Sequence, residues 1–165
     1  MSLILKHWLS ILFILSILAI GSALLAEHFF NLAPCKMCLK QRHAYYAIIP
    51  LIGIFYFFNQ KNNFWLHILN EIAILYGLFY AVWHVGIEKK ILPGPTSCSG
   101  ILSKTNSLQN LKEQISNQAI VNCSEVSWSI LGLSAASINS LLLMFILIFN
   151  TIFIVNNFYD AKKIK

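Results

Sequence analysis

Apolar residues in this chain fall into four long runs separated by short polar stretches. The first lies between Lys6 and Glu27 and centres on Leu9–Ala26. The second lies between Arg42 and Lys61, centres on Ala44–Phe58 and contains Pro50. The third, Phe64–Ile87, is broken only by Glu71 near its start, and the fourth covers about Ala135–Val155. A helix needs about 20 residues to cross a hydrocarbon core of roughly 30 Å. All four runs qualify, the second marginally. None alternates as a transmembrane strand would. A backbone in lipid must satisfy its own hydrogen bonds, so the runs predict helices. The expected fold is an all-α membrane protein: a four-transmembrane-helix bundle forming one integral domain over 1–165. Its spans are about 9–26, 44–58, 64–87 and 135–155. Pro50 predicts a kink in the second, which packed membrane helices tolerate. The first run exceeds a signal-peptide core, and Ala23–Glu27 lacks a small-x-small cleavage site, so it is read as a retained span.

Composition supports this reading. Apolar residues make up 58% of the 165 residues and charged residues 11%, against roughly a quarter charged in a soluble domain. A small globule has too little interior for so much apolar surface, which excludes an ordinary soluble enzyme. The net charge of +6 sits in the polar gaps, as membrane-flanking charge does. No basic stripe with interleaved aromatics occurs, so no nucleic-acid partner is expected. With four spans, residues 1–7, 59–63 and 157–165 share one side, and loops 27–43 and 88–134 share the other. Basic residues are denser on the first side, notably Lys162-Lys163-Ile164-Lys165, which favours cytoplasmic termini. Within loop 88–134, Leu108, Leu111, Ile115 and Ala119 recur at helical spacing. They predict a short amphipathic helix, either flat on the membrane surface or covering the end of the bundle.

Cys35, Cys38, Cys98 and Cys123, the four cysteines, all fall in the two loops assigned to one side. Disulfides persist outside the cytosol, so these loops are expected to face the periplasm. Cys35-Lys36-Met37-Cys38 is a C-x-x-C at the start of the second helix. There i and i+3 are neighbours, and free N–H groups with the helix dipole favour a thiolate. Lys36, Lys40 and Arg42 add positive field. Haem attachment is excluded, because Leu39 rather than His follows Cys38. A redox pair, a structural disulfide and a metal site all fit this spacing. The zinc reading lacks a second paired cluster, since Cys98 and Cys123 stand 25 residues apart, and no metal is expected. Cys98 and Cys123 read as a structural staple in isolation. Beside a redox C-x-x-C on the same face, they read better as a second exchanging pair. Arg42 lies one turn below Cys38, either as a snorkelling anchor or as a donor to the thiolate and to an acceptor's carbonyl. Gln41 offers a further donor. His84, with Glu88 one turn on, is an ionisable residue at the outer end of a span and therefore a functional candidate, or else a satisfied interfacial histidine.

Cys35-Lys36-Met37-Cys38-Leu39-Lys40-Gln41-Arg42 resembles the C-x-x-C-x-x-Q-R signature of the bacterial disulfide-bond formation protein B family, DsbB. The likeness extends through His84–Glu88, Pro93–Gly100, Cys123–Trp128 and Leu131–Ser134, and covers roughly residues 8–155. It implies an inner-membrane bundle with cytoplasmic termini. Such a protein reoxidises a periplasmic DsbA-like thioredoxin-fold oxidase and passes the electrons to a membrane quinone, ubiquinone or menaquinone; this relay is also a stock example of redox poise. By position, Cys98 is attacked by the partner and Cys123 is its mate. Cys35 and Cys38 form the second pair, with Cys38 nearest the quinone. Arg42 matches the quinone-side arginine, and Gln41 and His84 are the further cofactor-side candidates. The implied relay runs from a partner thiolate onto Cys98, then from Cys123 onto Cys35, leaving Cys38 as the thiolate. Two alternatives stand beside it. One is a quinone reductase of the vitamin K epoxide reductase type, which places its C-x-x-C late in the chain. The other is a non-enzymatic membrane scaffold with two structural disulfides.

Overall fold

The structure is a computed structural model, and residues 7–60, 63–95, 98, 122–126 and 128–159 are described. Among the described residues four helices follow one another: α1 (Trp8–Phe30), α2 (Lys36–Phe57), α3 (Phe64–Glu88) and α4 (Ala135–Ile154), the last running into a π-helical turn, Val155–Tyr159. The amphipathic helix expected around 108–119 lies outside the described residues.

Trp8–Phe30, Phe64–Glu88 and Ala135–Asn157 are long and apolar enough to cross a membrane. α2 is not among them, because Lys36, Lys40, Gln41, Arg42 and His43 crowd its first two turns. The outward faces are apolar: Leu18 is 61% exposed, Phe79 61% and Phe57 84%. A water-soluble bundle would bury such residues; lipid does not require it. Exposed Tyr56, Phe57, Phe58, Phe64 and Trp65 gather where α2 meets α3, as an aromatic belt at a membrane surface does.

The helices extend beyond the apolar runs. α1 continues to Phe30 and closes with Asn31 in the left-handed conformation, and Cys35, itself extended, caps α2. Most of the segment expected as loop 27–43 is therefore helical. The helix continues through Pro50. α3 packs on both α2 and α4, and α1 packs on α2. At the α2–α3 crossing a Cβ on Gly77 would stand 2.6 Å from Ala44 Cβ. A glycine there lets the backbones close, the small-residue packing used between membrane helices. Trp8, Leu12, Ile48, Ile74, Leu143 and Ile146 fill the interior.

At the end of the bundle away from the cysteines, Trp8 Nε1 donates to Asn150 Oδ1 at 3.2 Å. Asn150 and Thr151 both donate to the Glu71 carboxylate. Asn70 is fully buried. The one departure from all-α structure among the described residues is a small antiparallel hairpin, β1 (Ser129–Ile130) and β2 (Leu133–Ser134). Its turn, Leu131-Gly132, has positive φ at both residues, 53° and 79°, the geometry that matches strand twist in two-residue loops. Ser134 then caps α4, its hydroxyl accepting from the Ser137 N–H at 3.2 Å.

Candidate functional site

The cysteines meet at one end of the bundle. Cys35 ends the α1–α2 connection and its side chain caps α2, accepting the Cys38 backbone N–H at 3.2 Å. One helical turn brings Cys38 Sγ to 2.9 Å from Cys35 Sγ. Both are free thiols, whereas Cys98 and Cys123 are joined in a disulfide. Cys35, Cys98 and Cys123 share one buried cluster with Met37 and Ile87. Cys98, to which the resemblance assigns the partner's attack, is only 3% exposed.

A line of hydrogen bonds runs from α4 to Cys35. Tyr45 Oη donates to Asn139 Oδ1 at 2.6 Å, and Asn139 Nδ2 donates to Gln41 Oε1 at 2.8 Å. Gln41 Nε2 lies 2.8 Å from His84 Nδ1, and His84 Nε2 lies 3.5 Å from Cys35 Sγ. With Gln41 donating to Nδ1, the ring proton sits on Nε2 and points at the Cys35 sulfur. Glu88 approaches the same nitrogen at 3.9 Å and accepts from the Ser134 hydroxyl, which ties the end of α3 to the start of α4.

Cys35 and Cys38 lie in the first turn of α2, outside the apolar part of the helix. The Cys38 thiol donating to Cys35 is the main reason that Cys35 becomes acidic, at about 4 against an ordinary 9.0. Burial opposes this. The His84 ring and the Cys38 backbone N–H support it. The same hydrogen bond, with burial, keeps the shared proton on Cys38, whose pKa is pushed far up. Cys35 is thus the thiolate of the reduced pair. The thiolate of this reduced pair is therefore not the Cys38 thiolate that the relay implies.

Beyond Cys38 a cavity of about 170 Å³ opens between α1, α2 and α4. Ala19, Ala23, Ala26, Ala33, Ala135 and Ala136 leave room in its walls, and Cys38, Gln41, Arg42, Tyr45, His84 and Asn139 supply its polar side. Arg42 Nη1 is ion-paired with Glu27 at the end of α1. All seven residues singled out from the sequence therefore lie at one end of the molecule. Cys38, Arg42, Gln41 and His84 border the cavity, and Cys98 and Cys123 stand behind Cys35.

Compared with known proteins, residues 5–153 match the family described as disulfide bond formation protein DsbB. The chain belongs to the DsbB family. An uncharacterized protein of Rickettsia prowazekii (strain Madrid E), RP370, is 30% identical over 141 residues, which cover 84% of this chain and 81% of that protein. No solved structure matches. As a DsbB-family member with several membrane-crossing helices, the chain is a multi-pass membrane oxidoreductase of disulfide formation.

Sequence reasoning passed over Asn139, Tyr45 and Glu27. Asn139 carried a usable signal, since it is an amide inside an apolar run, where polar groups are seldom idle. Tyr45 and Glu27 carried none, because their partners come from other helices.

Proposed function

We propose that this DsbB-family protein reoxidises a periplasmic DsbA-like thioredoxin-fold oxidase and delivers the electrons to a membrane quinone, ubiquinone or menaquinone. In this reading α2 crosses the bilayer as a fourth span, shielded between α1 and α3, within one integral domain of the inner membrane. The termini are cytoplasmic, and the loops at 27–43 and 88–134 are periplasmic. The observation that carries the reading is the packing of a free C-x-x-C between a buried disulfide and an alanine-walled cavity.

The partner's thiolate attacks Cys98 Sγ and Cys123 leaves as a thiolate. Cys123 then attacks Cys35 of the oxidised Cys35–Cys38 pair, and Cys38 leaves. Cys98 is buried, so docking of the partner has to uncover it. A second thiolate of the partner attacks the mixed disulfide and expels Cys98 as a thiolate; Cys98 then attacks Cys123 and expels Cys35, which restores the Cys98–Cys123 disulfide, leaves the Cys35–Cys38 pair reduced and completes one two-electron transfer. Return of Cys35 and Cys38 to the disulfide gives up two electrons and the one proton held on Cys38. His84 Nε2 points its proton at Cys35 and holds that sulfur as the thiolate, with Gln41 holding the ring from behind. The alanine walls suit a flat ring, and Arg42 and Gln41 can donate to a carbonyl oxygen on it. When bound, the quinone supplies the electron acceptor. Glu27 fixes the Arg42 guanidinium at the rim and compensates its charge.

Relay through Cys123 and Cys35 requires these two sulfurs to bond. In a Cys38→Ser, Cys98→Ser double variant only they remain. The expected product of mild oxidation is an internal Cys35–Cys123 disulfide, read by peptide mapping. Two persistently free thiols would exclude the relay.

A further inference from the structure

Cys35 Sγ, Cys38 Sγ and His84 Nε2 all lie within 4.8 Å of one another. Tetrahedral zinc, with bonds of about 2.3 Å to sulfur and about 2.0 Å to nitrogen, holds sulfurs about 3.8 Å apart and sulfur and nitrogen about 3.5 Å apart. The Cys35–His84 separation is already 3.5 Å. The sulfurs, at 2.9 Å, need to part by under about 1 Å on the same scale. A side-chain rotation of Cys38 toward the cavity it borders supplies this. The sequence lacks a second cysteine pair for zinc, but the third ligand comes from α3 instead, 49 residues from Cys35.

Charge and outer contacts also suit a cation. Two thiolates neutralise a divalent ion, which a buried site demands. The nearest guanidinium, Arg42, is already paired with Glu27, so it adds little net repulsion. A histidine ligand needs an acceptor for its other N–H. The Gln41 amide lies 2.8 Å from Nδ1, and turned over it presents oxygen. Asn139 and the Tyr45 hydroxyl can reverse with it, because each both donates and accepts. The line of hydrogen bonds can therefore serve both a ring protonated on Nε2 and a ring ligating through Nε2.

We propose that the reduced Cys35–Cys38 pair and His84 form a redox-gated site for a thiophilic divalent cation of the zinc class, with the fourth position open to the cavity. Binding displaces the one proton shared by the two sulfurs, puts a metal ion in its place and moves no electrons. The disulfide has no thiolate to offer and excludes the ion. Metal on the dithiol holds both sulfurs out of further exchange, so a thiophilic cation arrests the protein in its reduced form. The inference goes beyond the quinone relay and stands on the thiols and the imidazole alone.

The test uses purified protein in detergent with Cys98→Ser and Cys123→Ser, so that only the Cys35–Cys38 pair changes state, and Co²⁺ as the probe. Recovery of the Cys35–Cys38 disulfide on oxidation verifies that the variant is folded, and a parallel titration of the reduced wild-type chain guards against its failure. Reduced protein with two countable thiols should bind one Co²⁺ per chain. It should show thiolate-to-cobalt charge-transfer absorption and tetrahedral visible bands, displaced by one equivalent of Zn²⁺. Oxidised protein should show neither. His84→Leu should weaken Co²⁺ binding at least tenfold and alter the visible bands. Absence of the charge-transfer band in the reduced protein would overturn the proposal, as would unchanged affinity in His84→Leu. Loss of quinone reduction bears on neither outcome.

Discussion

Replacing His84 by leucine should raise the pKa of Cys35. In the reduced protein the Cys35 sulfur is faced by the Cys38 thiol at 2.9 Å, the Cys38 backbone N–H at 3.2 Å and His84 Nε2 at 3.5 Å. Together they bring Cys35 to about 4 despite its burial, with the Cys38 thiol contributing most. A nearby donor or charge moves a pKa by about 1–3 units. As the lesser contributor, His84 should account for the lower part of that range, so His84→Leu should raise the Cys35 pKa by about 1–2 units. The sign for redox follows from linkage. A depressed thiol pKa stabilises the reduced protein fully above the ordinary value of 9.0, and the effect vanishes as pH falls through about 4. At neutral pH the pair is therefore more oxidising than ordinary thiols would be. Each pKa unit is worth about 1.4 kcal/mol, and for a two-electron couple about 30 mV. The variant should then be less oxidising by roughly 30–60 mV at neutral pH. The assay is the pH dependence of alkylation at Cys35 in protein lacking Cys98 and Cys123, with the potential read against glutathione buffers. Cys38→Ala should raise the Cys35 pKa further than His84→Leu does. An unchanged alkylation midpoint in His84→Leu, or a smaller effect from Cys38→Ala, would refute this account of the thiolate.

Arg42→Met should raise the apparent KM for quinone while both disulfides still form, and Glu27→Gln should change quinone kinetics without touching thiol exchange; identical kinetics in Arg42→Met would return Arg42 to a membrane anchor. Cys123→Ser should trap the reduced partner as a gel-shifted adduct through Cys98, and Cys98→Ser should trap far less; the opposite asymmetry would exchange the roles of the two. Gly77→Val should destabilise the bundle by about 1–3 kcal/mol or more, because its Cβ would stand 2.6 Å from Ala44. Thermal aggregation in detergent measures this, and a wild-type midpoint would mean that the α2–α3 crossing is looser than described.

The helices were legible because lipid imposes a long apolar run, and the bounds of the third and fourth runs match α3 and α4 closely. Their extension past the membrane was not, because charge ends an apolar run without ending a helix. α1 thus passes Glu27 and reaches Phe30, and α2 starts at Lys36 rather than Ala44. Leu131 in a left-handed turn hides the hairpin, since a leucine there contradicts ordinary turn chemistry. At the site, the C-x-x-C spacing and Arg42 one turn on are local patterns and could be read. Asn139 holding Gln41, and Glu27 holding Arg42, are contacts between helices, and no spacing along one helix encodes them. The pairing of Cys98 with Cys123 was legible from their place beside the C-x-x-C and is implied by the resemblance as well, and the structure contains it as a disulfide.

The central claim is that the two cysteine pairs carry electrons from a protein dithiol to a quinone. Purified protein, a reduced DsbA-like partner and a soluble ubiquinone analogue test it directly, with quinol followed by absorbance and partner thiols by alkylation. The account predicts one quinol formed per partner disulfide, and no quinol when any one of Cys35, Cys38, Cys98 or Cys123 is replaced by serine. Partner oxidation without quinol, or quinol formation that survives loss of Cys35 or Cys38, would contradict it.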